Sequence, residues 1–274
     1  MRYKLTVVAV LSAFLAACGG GGGISSTPTP APAPSPTPTN TTMNDLRANQ
    51  TFASDAGANA VSFDLTAQTV ASASKAPGDL IIHYDAAAQS YTVTFGGTSE
   101  TFLPSNVSAT TSSDTQYALS TATGHDYLTL VKVPYSGNPA GQYVRMGYLQ
   151  RNVITGSTQD TDFATFTYGL DTPVGSVPRT GSAGYKVDIF GLASTPGHEP
   201  RIFQGPGTFA TDFASGVFSM QSSSLTDYDL LTGGGVYGGS VFLNASGHLS
   251  ASDGTLSGLV AFDGQYGKIP GTLS

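Results

Sequence analysis

Tryptophan is absent, cysteine occurs once, and only 11% of the 274 residues carry a charge. A lone cysteine rules out an intramolecular disulfide, so the fold must be held by packing and strand pairing. Lysine and glutamate are scarce, while glycine reaches 34. That balance disfavours helices and suits strands joined by tight turns. The formal charge of −7 argues against nucleic acid or an anionic lipid surface as an electrostatic partner. No G-x-S-x-G nucleophile elbow occurs. His83, His125, His198 and His248 are too dispersed for a local metal-ligand pair. No catalytic constellation is visible, so neither an enzyme nor a cofactor is expected.

What is present begins at the N-terminus. Arg2 and Lys4 give a positive start, and residues 5–17 follow without a charge. Thirteen residues are too few to span a bilayer but fit a signal peptide. The run ends Leu15-Ala16-Ala17-Cys18-Gly19, which resembles the lipobox of bacterial lipoproteins. The resemblance implies cleavage before Cys18 and lipid attachment to it, which holds the chain on a membrane. Gly19 in place of an aspartate implies an outer-membrane destination. Loss of residues 1–17 leaves nine basic and eighteen acidic residues, a formal charge of −9.

Residues 18–42 are the lipidated cysteine and a tether. Residues 19–23 are all glycine, and 27–39 alternate proline with small residues, which favours extended polyproline II. At about 3 Å per residue the tether reaches roughly 70 Å.

The remainder divides into two β-rich regions, 43–160 and 161–274. In the first, 80–84, 90–95, 100–103, 127–133 and 143–153 have strand character, and a short helix is expected at 44–49. In the second, strands are expected at 162–168, 185–190, 208–213, 217–220, 240–244, 248–251 and 256–262, with a three-residue hairpin loop at 214–216. Short strands at this spacing suggest an antiparallel sandwich or barrel.

Three stretches resemble the β-barrel domain of transferrin-binding protein B and its lipoprotein relatives, factor H-binding protein among them. The first is Tyr168-Gly169-Leu170-Asp171-Thr172-Pro173, continuing through Val177-Pro178-Arg179-Thr180-Gly181-Ser182-Ala183. The second runs from Gly207-Thr208-Phe209 through Asp212-Phe213 to Gly216-Val217-Phe218-Ser219. The third runs from Gly254-Thr255-Leu256-Ser257-Gly258 to Gly271-Thr272-Leu273-Ser274. The resemblance implies an all-β chain: a handle-like domain over 43–160, then an up-and-down, nominally eight-stranded antiparallel barrel over 161–274. Family barrels continue into a Gly-Phe-Tyr-Gly strand and a Glu-x-Gly-Gly turn, whereas this sequence ends at Ser274. Either the sequence is cut short or the barrel is left open or closed differently.

Other motifs read blandly. Gly233-Gly234-Gly235-Val236-Tyr237-Gly238 matches G-x-G-x-x-G, but a strand-like segment follows where a dinucleotide site needs a helix. Asp160 with Asp162, and Asp227 with Asp229, lack further ligands and read as solvated charge. His198-Glu199 reads as a loop tip.

The resemblance implies a non-enzymatic, lipid-anchored surface protein. It would capture a host or environmental protein, or an iron-bearing ligand, and pass it to an outer-membrane transporter or receptor. The alternative is a small-ligand carrier using the barrel interior. Recognition is expected on two long connections, 191–206 and 222–239, because loops are free of the packing demands of a wall. Arg201, Phe203 and Tyr228 are the expected ligand-binding residues, Arg and Tyr being frequent binding anchors. No metal site is expected.

Overall fold

The computed structural model describes residues 39–76, 78–135, 141–171, 176, 178–198, 200–222, 225–229, 242–252, 254–264 and 267–273. Those residues form no α-helix; they build antiparallel sheets, in agreement with the all-β expectation. Cys18 and the tether lie outside the described residues, as do 233–238. No helix among the described residues is long and apolar enough to cross a membrane.

The first sheet is organised by β1 (Gln50–Asp64). On one edge β1 pairs with β2 (Thr69–Lys75) and then β3 (Asp79–Asp85); on the other it pairs with β10 (Thr158–Gly169). β3 continues into β4 (Ser90–Phe95) and β5 (Thr98–Phe102). Beyond β10 lie β9 (Val144–Thr155), β8 (His125–Val131), β7 (Asp114–Ser120) and β6 (Val107–Thr110). The sheet curls until β5 approaches β7, and a short 3₁₀ turn at Pro104–Asn106 joins its two ends.

The concave face holds the core. Phe52, Leu80, Ile82, Val93, Phe102, Leu128 and Leu149 are all essentially inaccessible to water. Phe52 and Phe166 each pack against Tyr168, at ring distances of 5.5 and 6.0 Å. Burial holds the Tyr91 and Tyr168 phenols well above their ordinary range.

The second sheet is a meander: β11 (Ser182–Ala193), β12 (Arg201–Asp212), β13 (Val217–Ser222), β15 (Phe242–Leu249), β16 (Leu256–Gly264) and β17 (Gly267–Leu273). A short β14 (Thr226–Asp229) pairs with β12 beside the β13 register. No pairing joins β11 to β17 among the described residues. The outward face of β11 meets the first sheet. Phe190 stacks on Tyr148 at 5.6 Å, and the Asp188 carboxylate accepts the Tyr135 N–H at 3.0 Å.

Three expectations are corrected. Residues 44–49 form no helix; the Asn40 side-chain Oδ1 instead accepts the Arg47 and Ala48 N–H groups in an irregular strap. The boundary between 160 and 161 falls inside β10, which completes the first sheet, so the meander begins only at Ser182. Finally, 240–244 and 248–251 are not two strands. Gly247 lies within β15, where a side chain would strike the Gly258 Cα at 2.6 Å. That glycine allows two backbones to approach rather than making a turn. The hairpin at 214–216 forms as expected, with Asp212 accepting the Ser215 N–H at 2.8 Å and Gly216 at φ 68°.

Both sheets use one packing device. Gly147 sits opposite Phe166 and Gly191 opposite Phe203, and each ring lies over its glycine. A methyl group on Gly147 would fall 2.6 Å from the Phe166 ring and 2.9 Å from the Thr129 carbonyl oxygen. We expect Gly147→Ala to cost about 1–3 kcal/mol of stability through overpacking. Urea unfolding of the two proteins measures this, with an unchanged midpoint as the contrary result.

Candidate functional site

The expected site residues do not form a loop cluster. β11 extends out to Ala193 and β12 returns from Arg201, so the connection is only 194–200. Arg201 and Phe203 are strand residues, and Arg201 is 6% exposed. Tyr228 is on β14, opposite Ile202 in the register, and positions 201 and 203 alternate with 202. The exposed-loop premise for Arg201 and Phe203 is therefore corrected. The physical cause is that Gly191 and Gly205, read as loop glycines, continue the ladder in register with Phe203 and Ile189. Phe203 packs against the small cluster of Ile189 and Leu225.

His198 is exposed, but the backbone around it is fixed. Its carbonyl accepts the Val70 N–H at 2.9 Å, and Gly197 donates to the Val70 carbonyl at 2.7 Å. Glu199 lies outside the described residues. No group of three or more His, Cys, Asp or Glu is placed to hold a metal among the described residues.

The most developed polar concavity lies elsewhere, on the inner face of the first sheet. Successive inward positions across β1, β10, β9 and β8 form rungs. One rung is Ala58, Ala164, Leu149 and Leu128. The next is Ala60, Asp162 and Arg151, and the one beyond is Ser62, Asp160 and Val153. One register step thus turns this face from buried hydrocarbon to charge, with Asp160 and Asp162 exposed. There the sheet opens into a cavity of about 580 Å³ lined by carboxylates, hydroxyls and one guanidinium, together with the apolar Ala60, Val61, Phe95 and Val153.

Arg151 ties the rim together. Its Nε lies 2.8 Å from Glu100 Oε1, Nη1 donates to the Phe95 carbonyl at 2.6 Å, and Nη2 to the Thr98 carbonyl at 2.8 Å. The guanidinium also lies over the Phe95 ring, 5.7 Å from its centre. This clamps the β4–β5 hairpin to β9. Gly96 and Gly97, both at positive φ, form the hairpin turn.

A buried network supports the floor. Asp126, 4% exposed, accepts the Asn152 backbone N–H at 2.9 Å. The Asn152 side-chain oxygen accepts from Gln150, Gln159 and Thr161, each at 2.9 Å, and its amide donates to the His125 carbonyl. Glu100 Oε2 is buried with no hydrogen-bond donor among the described residues. Desolvation raises the Glu100 carboxyl above its ordinary value; the Arg151 charge opposes this and the neighbouring Asp126 adds to it.

No protein-family model, curated protein or solved structure matches the chain.

The Glu100 shift has a definite sign. A carboxyl with a raised folded-state pKa binds a proton more tightly in the folded chain. Its contribution is therefore full below the ordinary value of 4.5 and is lost as pH rises through the folded value. Glu100→Gln should remove this contribution. Thermal midpoints measured against pH should fall less steeply above 4.5 in the variant than in the wild type. Parallel curves would contradict the assignment.

Proposed function

We propose that the chain is a lipid-anchored binding protein of the bacterial outer membrane, displayed at the cell surface and without enzymatic activity. The observation that carries this reading is Leu15-Ala16-Ala17-Cys18-Gly19 at the end of an uncharged run behind Arg2 and Lys4. It sets the chain's one cysteine where a lipoprotein signal is cut. Two acyl chains or more hold firmly at about 0.8 kcal/mol per buried CH₂. The proline-rich tether then carries the body away from the membrane surface.

The resemblance of the C-terminal stretches to transferrin-binding protein B supports a ligand that is a host or environmental protein, or an iron-bearing one. An outer-membrane transporter or receptor is the partner that would receive it. The dense apolar core of the first sheet, filled by Phe52, Phe102, Leu128 and Leu149, supports no apolar-ligand cavity there; the alternative carrier reading concerns the interior of the C-terminal region. Of the expected contact residues, Tyr228 is proposed from its residue type alone, tyrosine being a frequent binding anchor. Arg201 is buried, so its truncation is expected to destabilise the meander as well as weaken capture.

Cys18→Ser is expected to abolish fatty-acid labelling and release the protein from the membrane fraction. Metabolic labelling and fractionation check both. Protease shaving of intact cells separates surface display from a periplasm-facing orientation. Retained labelling in the variant would end the lipoprotein reading.

A further inference from the structure

We infer that the polar cavity of the first sheet is a binding site for a small, neutral, polyhydroxylated ligand of the size of one sugar unit. The inference rests on the reading of the chain as a binding protein but not on its anchor. A volume of about 580 Å³ lies in the range of small-molecule sites, roughly 300–1,000 Å³. The site lies where the sheet opens, at the end of its apolar interior, with rigid strands as its walls.

The lining selects the chemistry. Carboxylates only accept hydrogen bonds, whereas hydroxyls both donate and accept. Asp160 and Asp162 line the β10 part of the wall, and Ser62, Ser72 and Ser74 line the adjoining β1–β2 part of the same sheet. An apolar ligand would strand these groups unsolvated. An anion would meet four carboxylates against one guanidinium already committed to Glu100 and to two carbonyls. An organic amine supplies donors alone and offers no acceptor to the serine hydroxyls. A ring of hydroxyls supplies donors to the aspartates and acceptors to the serines together.

The wall is also preorganised. Arg151 holds the β4–β5 hairpin by contacts to Phe95, Thr98 and Glu100, and Asn152 locks β9 to β8 and β10. Binding there orders few side chains, which limits its entropic cost.

The purified chain is titrated with the methyl glycosides of glucose, galactose, mannose and N-acetylglucosamine, followed by amide chemical shifts. Spermidine and inorganic phosphate are titrated in parallel. We expect saturable binding of at least one glycoside, with shifts confined to cavity residues. Asp162→Asn and Ser74→Ala should each weaken it at least tenfold with an unchanged thermal midpoint. Should Asp162→Asn fail to fold, the serine variant decides, because Ser74 is exposed on β2. The inference is overturned if no glycoside saturates, if both variants bind as wild type, or if spermidine or phosphate occupies the cavity in their place. None of these results alters fatty-acid labelling at Cys18, so failure here is distinguishable from failure of the anchor.

Discussion

The pairing of β1 along both edges organises the first sheet. β2 and β3 follow one another along one edge, and β10 occupies the other from Ala56 to Asp64. The strands 94 residues and more downstream are thereby joined to the N-terminal hairpin: β10 cannot pair with β1 until the chain between them has folded back. Pairing on both edges gives the inner part of β1 backbone partners on either side without helix or disulfide. The same strand fixes which side chains face inward, because a slip of one residue would turn Ala58 and Ala60 out and bring Asn59 and Val61 in.

That constraint explains the glycines better than loop chemistry does. A strongly curled sheet crowds its concave face, and some large rings are seated there over a glycine of the neighbouring strand. Phe166 over Gly147 and Phe203 over Gly191 are two instances in two sheets. Gly247 against Gly258 is a tighter case, with backbone on backbone. In each, the glycine lies within a ladder, and its conformational cost is offset by the packing it admits.

The same fact separates what could be read in the sequence from what could not. Runs with alternating large apolar residues, such as Ser90-Tyr91-Thr92-Val93-Thr94-Phe95, were legible because the alternation reports one buried face. β1 was not: Ala56-Gly57-Ala58-Asn59-Ala60 has small residues at its inward positions, and its strand character comes from partners far away in the chain. Gly191 to Pro206 looked like a loop because glycine and proline are turn residues in isolation. The ladder between β11 and β12 overrides that local preference, and it takes Arg201 and Phe203 out of the expected loop. The cavity did leave a trace. Asp160, Asp162, Ala164, Phe166 and Tyr168 lie on one period-two series, so the carboxylates continue the core face of β10. Both are exposed, so the reading of them as solvated charge stands; what it did not show is that they sit on the same face of β10 as the core residues.

Charge inside a sheet of this kind needs a physical reason. Replacing a buried ion pair by hydrocarbon of similar volume is often neutral or stabilising, because desolvation offsets the attraction between the partners. Arg151 and Glu100 meet that description, and the Asp126 carboxylate beside them raises the cost further. The rung before them, Ala58 with Ala164, Leu149 and Leu128, shows that the same strands accommodate a purely apolar layer. The switch to Asp162, Arg151 and Asp160 within one and two register steps coincides with the opening of the sheet to solvent, where Asp160 and Asp162 are exposed and carry no such desolvation cost. The buried Arg151–Glu100 pair is the part of this end that solvation does not explain, and its contacts to the β4–β5 hairpin give it a role in holding that hairpin in place.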